Sequence, residues 1–418
     1  MTAVGAEGLE DSQSDLDGSP RAFPARLAMA NLGLFLSVLT PVVVTLQLRV
    51  EHLDPAQKEN TLGLVLGVGA FLALIGNPLA GRLSDRTSSR FGRRRPWLIG
   101  GAVVGTAGLT IVAFAPSIPV LLVGWCLAQL AFNGVMAALT ATIPDHVPPA
   151  QRGLASGAMG FSQMLALIVG VGLVTVVPGT AKILVPAVVG LILITAFAVT
   201  LPDPQVPAPR DRFSLRMFAG SFWVNPRLHP DFGYAWLTRF LVMLGVSMPM
   251  TFLLFFLQDR LDLSTDEAAT ALATLVGVSY TCTAIAAAVG GYISDRAARR
   301  KAFVIGSALM LSAGLAVLAI ADSFAMVMVA ELLLGIGTGL FFAVDMALVT
   351  EVLPDPKTAA KDLGVINIAN TLPQSLAPAI APLILAVGPD KNYPLLFTFA
   401  AISALIGALL VTRIKAVS

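Results

Sequence analysis

Long runs of apolar residues, separated by short polar breaks, make up most of this chain. A run of about 20 apolar residues lets a helix cross roughly 30 Å of hydrocarbon. We place twelve such runs, and Pro or charged residues mark most of the breaks between them. The runs cover 27–48, 62–81, 97–115, 118–143, 154–178, 182–201, 234–257, 267–290, 302–321, 324–350, 363–387 and 394–412. The pattern predicts an all-α membrane protein with twelve transmembrane helices.

Composition supports the same class. Apolar residues make up 56% of the chain and charged residues 12%, with a mean hydropathy of +0.81. Soluble proteins average about 25% charged residues, so an ordinary soluble domain is excluded. The two cysteines, Cys126 and Cys282, both lie inside apolar runs, where a thiol behaves as a small hydrophobic group. We expect neither a disulfide nor a catalytic role for them.

The polar segments divide the chain into five regions. Acidic and small polar residues fill 1–20 and precede any apolar run, which indicates a disordered tail rather than a cleaved signal peptide. The predicted regions are a tail at 1–26, a first six-helix bundle at 27–201, a linker at 202–233, a second bundle at 234–412 and a short tail at 413–418.

The basic residues predict the orientation in the membrane. Loops on one side hold 21 of the 27 Lys and Arg residues, the opposite loops hold five, and Arg239 lies inside a run. Cytoplasmic loops carry the excess of Lys and Arg in membrane proteins. We therefore expect a multi-pass protein of the plasma membrane with both termini in the cytoplasm.

An internal repeat relates the two halves. Shifting the sequence by 210 residues aligns two separate loops, which places Gly81 on Gly291, Ser84 on Ser294, Asp85 on Asp295, Arg86 on Arg296, and Pro144-Asp145 on Pro354-Asp355. Agreement at both loops favours duplicated six-helix halves of the same topology. Two parallel halves with a substrate held between them near the midplane are typical of a rocking transporter.

The basic loop itself carries a family resemblance. Gly81–Arg95 resembles the loop between helices 2 and 3 of the major facilitator superfamily, and Gly291–Lys301 resembles its weaker copy between helices 8 and 9. Ser84-Asp85-Arg86, followed by Ser89–Pro96, is similar to the loop of the sucrose and related disaccharide proton symporters, a subgroup of glycoside-pentoside-hexuronide type. The resemblance implies two pseudo-symmetric bundles, alternating access and proton-coupled carriage of a sugar or glycoside.

In this superfamily, contacts of the loop latch the cytoplasmic side shut. The resemblance implies that gating role for Gly81, Asp85, Arg86 and Arg93, and for Gly291, Asp295 and Arg296 in the second copy. Gly81 would let helix 2 end tightly, and Asp85 could face the positive N-terminus of helix 11, which starts after Asp362. The alternative is that the arginines only set the topology.

Polar residues inside the runs are candidates for substrate binding. Gln129 and Asn133 share one face of the fourth helix, and Asn367, Asn370 and Gln374 share one face of the eleventh. Amides donate and accept hydrogen bonds, which suits a substrate that carries hydroxyl groups. The alternative role is to hold neighbouring helices together.

Three charged residues inside the runs are candidates for proton coupling. Glu331 and Asp345 lie about 21 Å apart along the tenth helix, so they cannot share one site. Asp345 lies at a depth similar to that of Arg239, which predicts an ion pair, either structural or part of a relay. Glu331 has no obvious basic partner and is the better proton carrier, unless it is simply solvated near the outer mouth.

One position departs from the subgroup pattern. Sucrose symporters carry an acidic residue in the fourth helix where this chain has Gln129, although Asn133 is retained. An amide cannot carry a proton. Coupling has therefore moved to Glu331 or Asp345, or the protein is not a proton symporter.

The sequence favours a secondary transporter and no enzyme activity. No phosphate-cradling Gly-Lys motif is present, so ATP is not the expected energy source. His52, His146 and His229 are scattered near loops, and we expect no metal or cofactor. The expected partners are a small-molecule substrate, protons and the lipid bilayer, with no nucleic acid, and the protein is expected to be a monomer. The alternatives are an exporter of an amphiphilic drug or natural product, and a non-transporting membrane sensor.

Overall fold

Twelve helices long and apolar enough to cross a membrane are present in the part of the chain that the computed structural model describes, residues 22–148, 151–205, 224–297, 300–352, 359–388 and 391–415. The prediction of twelve spans is confirmed. In chain order the helices are α1 Phe23–Leu53, α2 Lys58–Asp85, α3 Arg95–Phe114, α4 Ile118–His146, α5 Arg152–Val176, α6 Ala181–Thr200, α7 Pro230–Leu261, α8 Thr265–Ala297, α9 Arg300–Ala319, α10 Phe324–Glu351, α11 Ala359–Leu385 and α12 Tyr393–Val411.

Most helices extend beyond the predicted apolar runs, because their first and last turns are polar. Proline occupies the first turn of five helices, where its missing N–H would have no helical partner in any case. These prolines are Pro24, Pro96, Pro119, Pro230 and Pro394. α2 continues to Asp85, so the expectation that Gly81 ends this helix is wrong. Gly81 is an interior residue of α2, where a Cβ atom would lie 3.8 Å from Ala137.

The same five helix contacts occur in each half. α1 packs against α5 and α6, α2 packs against α4, and α3 packs against α4 and α6. In the second half, α7 packs against α11 and α12, α8 packs against α10, and α9 packs against α10 and α12. The fold is therefore two pseudo-symmetric six-helix bundles, as the 210-residue repeat predicts.

Glycines provide the closest contacts inside each bundle. A Cβ atom at Gly105 of α3 would lie 2.6 Å from the ring of Phe132 on α4. In α10, a Cβ atom at Gly335 or Gly339 would press on backbone carbonyls of α8. These small residues let the helix backbones approach closely.

The two bundles meet unevenly. The most extensive contacts between them are α2 with α11 and α5 with α8, and the Pro41–Thr45 turn of α1 also packs against α7. Near the predicted outer end of α2, a Cβ atom at Gly63 would overlap the Pro378 carbonyl and the Pro382 ring of α11. At the arginine-rich end of α5, a Cβ atom at Gly153 or Gly157 would meet nothing within 4 Å. The bundles are thus pressed together near the predicted outer side, while α5 leaves space at the opposite end.

Candidate functional site

A buried charged cluster joins three helices of the second bundle. The guanidinium Nη1 of Arg239 on α7 lies 3.0 Å from Oδ2 of Asp345 on α10, and the side chains are only 6% and 5% exposed. The Nε–H of Arg239 donates to Oδ1 of Asn370 on α11 over 2.6 Å. The predicted pairing of Arg239 with Asp345 is present. Asn370 adds a neutral partner that the sequence prediction did not connect to the pair.

Asn370 belongs to the row of amide side chains on one face of α11. Asn370 is half-buried, whereas Asn367 and Gln374 on the same helix face are exposed. Only the Oδ1 acceptor of Asn370 is used by Arg239, so the Nδ2 donors and the two exposed amides remain available for further hydrogen bonds. The role of this face in substrate binding stays a prediction.

The amides on α4 lie against α2. Asn133 Nδ2 donates to the Gln129 carbonyl over 2.8 Å, and it also lies 3.4 Å from Gln129 Oε1. A Cβ atom at Gly69 of α2 would lie 3.2 Å from the Gln129 side chain. Gln129 is buried and Asn133 is half-buried. These contacts favour the helix-packing role for Gln129 over direct exposure to a substrate.

Glu331 occupies a separate buried position on α10. Its carboxylate is hydrogen-bonded to the Ser279 side chain of α8, and Tyr280 lies nearby. No Lys or Arg pairs with Glu331 among the residues that the structure describes. The role of Glu331 as proton carrier stays a prediction.

In the arginine-rich loop between α2 and α3, Asp85 pairs with a residue of the same loop. Its Oδ1 lies 2.7 Å from Nη2 of Arg94, and the Asp85 side chain is 55% exposed. The segment before α11 and most side chains of its first turn lie outside the described residues, so the expected contact of Asp85 with that N-terminus stays a prediction.

Arg94 organises the loop, although the sequence prediction named Arg86 and Arg93. Its guanidinium is 3% exposed and contacts Asp85, Ser84 and Asp145. Arg93 also reaches Asp145, over 3.0 Å. The repeat already singles out Asp145, but nothing in a run of three arginines marks the central one as buried.

Asp203, in the segment after α6, anchors the start of α3. Its Oδ2 accepts the backbone N–H groups of Arg94, over 2.6 Å, and of Arg95, over 2.8 Å. A carboxylate at a helix N-terminus satisfies free N–H groups and opposes the positive end of the helix dipole. Gly92 has a φ of 98° and packs against Asp203, where any side chain would overlap it.

The second copy of the loop is described only in part. Gly291 lies within α8, where a Cβ atom would meet nothing within 4 Å. The guanidinium of Arg296 lies 4.3 Å from the ring centroid of Tyr292. The Asp295 side chain and the Pro354-Asp355 pair lie outside the described residues, so their predicted roles stay predictions.

A charged cluster that the sequence prediction missed joins the bundles near the predicted outer side. We call it the outer cluster; it consists of Glu51, Lys58, Glu59, Gln258, Asp259, Lys391 and Tyr393. Lys58 of α2 lies 2.8 Å from Glu51 and 3.4 Å from Asp259 of α7. Lys391, just before α12, contacts Glu59 of α2 as well as Asp259, over 2.9 Å. Each lysine therefore links the first bundle to the second.

Lys391 is held in its charged form. Burial opposes the ammonium, but hydrogen bonds and Coulombic attraction from Glu59 and Asp259 outweigh it and raise the pKa of Lys391 above its usual value. The Tyr393 hydroxyl also donates to Asp259 over 2.6 Å. The outer cluster thus stays ion-paired at neutral pH.

Two bundles of six membrane-spanning helices, with buried polar groups in their interior, define a membrane transporter. A sequence profile of the Major Facilitator Superfamily matches residues 26–280 and 235–417, and the chain belongs to this superfamily. Among the described residues, no group of three or more His, Cys, Asp or Glu side chains could hold a metal ion.

Solved structures share this fold at low sequence identity. A mutant of the nucleoside transporter NupG has a TM-score of 0.74 and 12% identity, covering 94% of this chain and 99% of its own. The D-xylose-proton symporter has a TM-score of 0.71 and 16% identity over 94% and 97%. A bacterial homologue of the human lysosomal transporter Spinster, in an inward-facing, unoccupied conformation, has a TM-score of 0.66 and 15% identity over 95% of both chains. At these identities the likeness concerns the fold alone.

Curated relatives match short segments. An uncharacterized symporter, sll1374 of Synechocystis sp., is 51% identical over 41 residues, which are 10% of this chain and 8% of the relative. The general alpha-glucoside permease of Schizosaccharomyces pombe is 30% identical over 129 residues, 27% of this chain and 22% of the permease. The matches thus span less than a quarter of either relative.

Proposed function

We propose that the chain is a secondary transporter that carries a sugar or glycoside together with a proton, by alternating access of its two bundles. The observation that carries this proposal is the Arg239–Asp345–Asn370 cluster. In it, one guanidinium contacts both a carboxylate that can take a proton and an amide that can bind a hydroxyl group. The two ligands of a symporter would therefore act on the same side chain.

The coupling follows from the charges. Ionised Asp345 neutralises Arg239 in a medium where an unpaired charge is costly. A proton on Asp345 removes that attraction and makes a further acceptor for the guanidinium favourable. A substrate hydroxyl oxygen can accept from the guanidinium while its own O–H donates to Asn370 Oδ1. Substrate binding thus offsets the cost of protonating Asp345, and protonation favours substrate binding.

Glu331 is the second candidate proton site. It is buried without a cation among the described residues, and Ser279 supplies a hydrogen bond. It lies on the same helix as Asp345 but too far away to share a proton with it. In this alternative, Arg239 and Asp345 are a structural pair and Glu331 alone binds the proton. The variants in the Discussion separate the two candidates.

Several comparisons support sugar and proton as the ligands. The names of the matched proteins concern symport, an alpha-glucoside permease and a D-xylose-proton symporter. The exposed amides of α11 supply donors and acceptors suited to hydroxyl groups. The count of Lys and Arg supports a plasma-membrane protein whose arginine-rich side faces the cytoplasm.

The test is uptake of radiolabelled sugars into proteoliposomes that contain the purified full chain. We expect accumulation of at least one disaccharide or glycoside with an inward proton gradient, and only equilibration when a protonophore collapses the gradient. Empty liposomes are the control. Absence of sugar flux, together with lowered drug accumulation in cells that express the protein, would replace this proposal by the exporter. Ligand binding without flux would replace it by the sensor.

A further inference from the structure

A cavity of about 420 Å³ lies at the predicted outer end of the first bundle, separate from the interior cluster. α1 contributes Thr45 and Arg49, the turn before α6 contributes Thr180, α6 contributes Lys182, and the start of α8 contributes Thr265. Most of these side chains carry hydrogen-bond donors, and two carry a positive charge. The cavity is separate from the substrate face and adjoins the outer cluster, with which it shares Glu51.

The backbone of α1 is irregular where it lines this cavity. A π-helical turn runs over Pro41–Thr45, and the Leu46 N–H bonds to the Pro41 carbonyl. Such turns are rare in proteins, and those that occur often lie at functional sites. The turn ends at Thr45, whose side chain is 2% exposed and whose hydroxyl has no hydrogen-bond partner. A buried hydroxyl without a partner is costly, so Thr45 gains from any acceptor that reaches it.

Arg49, one helical turn further, is in a similar condition. Its Nη2 donates to the Ala115 carbonyl over 2.6 Å, which fixes the guanidinium in place. Its Nε–H is buried and has no partner. A guanidinium carries donors and no acceptor, so only an acceptor can complete it. The two incomplete groups lie one helical turn apart on α1 and border the same cavity.

The other wall of the cavity is also positive. Gly179, with a φ of 59°, and Thr180 form the turn that begins α6, and the Thr180 side chain does not cap the helix. The positive end of the helix dipole therefore points toward the cavity region. Lys182 lies in the first turn, and its partner Asp266 of α8 is 3.6 Å away with a side chain that is 93% exposed. That pair is too solvated to neutralise Lys182 strongly.

The acidic residue that lines the cavity, Glu51, already has partners. Glu51 lines the cavity, but its carboxylate pairs with Lys58 over 2.8 Å and accepts from Gln258 over 3.0 Å. Of the remaining polar residues, His52 can donate or accept, and the others supply donors and cations in excess of acceptors. A ligand that suits such a set is rich in acceptors and negatively charged.

We propose that this cavity binds a small oxyanion of phosphate type, between Arg49, Lys182 and the hydroxyls of Thr45 and Thr265. The anion takes the place of Asp266 as the partner of Lys182. It touches residues of both bundles and so stabilises the arrangement that is closed at this end. The phosphate comes either from solution or from the headgroup of an anionic lipid, because the cavity lies at the end of the helices.

The first experiment measures thermal unfolding of the purified full chain in detergent, with inorganic phosphate titrated against chloride at matched ionic strength. A ligand that binds only the folded state raises the midpoint in a saturable way. We expect such a rise for the wild type and a loss of apparent affinity of about tenfold or more for Lys182→Gln, because charge-assisted hydrogen bonds are the strong ones. Lys415→Gln, an exposed lysine of the C-terminal segment, is the matched control.

Thr45→Val distinguishes a binding role from a structural one. Because the hydroxyl has no partner in the structure, its loss should leave the anion-free midpoint unchanged or higher. The same variant should weaken the phosphate response. A lower anion-free midpoint with an unchanged phosphate response would overturn the assignment of Thr45.

The second arm tests the lipid source in nanodiscs of phosphatidylglycerol against phosphatidylcholine. A headgroup ligand predicts higher stability in phosphatidylglycerol, lost in Lys182→Gln, with little further effect of added phosphate. A free anion predicts the same phosphate response in both lipids. Equal midpoints for wild type, Lys182→Gln and Lys415→Gln in both arms would overturn the proposal.

Discussion

At the scale of single residues, Arg239 is the centre of the interior site, because its guanidinium contacts a carboxylate and an amide on two other helices. Removing one member of a buried ion pair leaves an uncompensated charge, which costs about 3–5 kcal/mol. Replacing both members by neutral groups of similar shape avoids that cost. Stability and transport can therefore be separated at this pair.

Asp345→Asn should lower the free energy of unfolding by about 3–5 kcal/mol and abolish proton-driven accumulation. The double variant Arg239→Gln with Asp345→Asn should recover most of the stability without recovering accumulation. Thermal unfolding and proteoliposome uptake measure the two quantities. Recovered proton-driven accumulation in the double variant would mean that the pair is structural only.

Glu331→Gln tests the other proton site. An amide of the same shape keeps the hydrogen-bonding capacity toward Ser279 but cannot bind a proton. If Glu331 carries the proton, the variant loses accumulation driven by a pH gradient but retains counterflow exchange of labelled sugar. Asp322→Asn, an exposed carboxylate in the turn before α10, is the matched control. Full accumulation by Glu331→Gln would remove this residue from the coupling.

Some residue contacts were predictable from the sequence and others were not. The pair of Arg239 with Asp345 followed from their similar depth, since a buried charge needs a partner. Arg94 was not distinguishable within a run of arginines. Asp203 caps α3 from a position 108 residues away from Arg95, and no local pattern connects the two.

At the scale of elements, the contact of Asp203 with α3 ties the segment after α6 to the arginine-rich loop. Asp203→Ala should lower the free energy of unfolding by about 0.5–2 kcal/mol, the usual cost of a lost N-cap. Asp203→Asn should cost less, because the amide oxygen still accepts. Chemical or thermal unfolding measures the difference, with Asp322→Ala as the exposed control. A cost for Asp203→Ala no larger than for Asp322→Ala would show that the cap contributes little.

The outer cluster should hold α2 and α7 together. Lys58→Gln removes the contacts to Glu51 and Asp259, so the predicted outer side should open more often. A cysteine introduced as Gly67→Cys, on the face of α2 toward α11, should then react faster with a membrane-impermeant maleimide. The two native cysteines are replaced by serine. Equal maleimide reaction rates in Lys58→Gln and in the control Lys415→Gln would show that the outer cluster does not hold this side closed.

The titration of Lys391 sets the upper pH limit of the ion pairs that it makes in the outer cluster. Its pKa is raised, so its contribution is fully present below the ordinary lysine value and is lost only as the pH rises through the folded value. The ordinary value is about 10.4, well above physiological pH. Any pH dependence of transport between about pH 5 and 8 must therefore come from other groups than this ammonium.

At the scale of the whole molecule, the sequence was sufficient for the twelve helices and the repeat, because length, hydropathy and loop motifs are local signals. It was not sufficient for the state of the two bundles. The contacts that close the predicted outer side join residues about 200 positions apart, such as Lys58 and Gln258. Only the packing of one bundle against the other brings them together.

The relative position of the bundles can be followed by a distance between two exposed residues at the predicted outer ends. Asn60 on α2 and Arg260 on α7 belong to different bundles and are exposed. Spin labels on Asn60→Cys and Arg260→Cys, with the native cysteines replaced, report the separation by double electron–electron resonance. Opening at this end lengthens the distance, and persistent closure keeps the distance short and its distribution narrow.

Two glycine substitutions should shift this distance in opposite directions. Gly63→Leu overlaps α11, so it should hold the predicted outer side open and lengthen the distance. Gly157→Leu fills open space at the arginine-rich end of α5 and should prevent that end from closing, which keeps the distance short even when substrate is added. Gly100→Leu is the control: Gly100 also has no neighbours within 4 Å, but it lies on α3, whose extensive contacts are all with its own bundle. This variant should change neither the distance nor uptake. In alternating access, each end of the transporter must open and close in turn. We therefore expect both variants to lose uptake and to shift the distance in opposite directions. The same shift in both variants, or unchanged uptake in either, would contradict it.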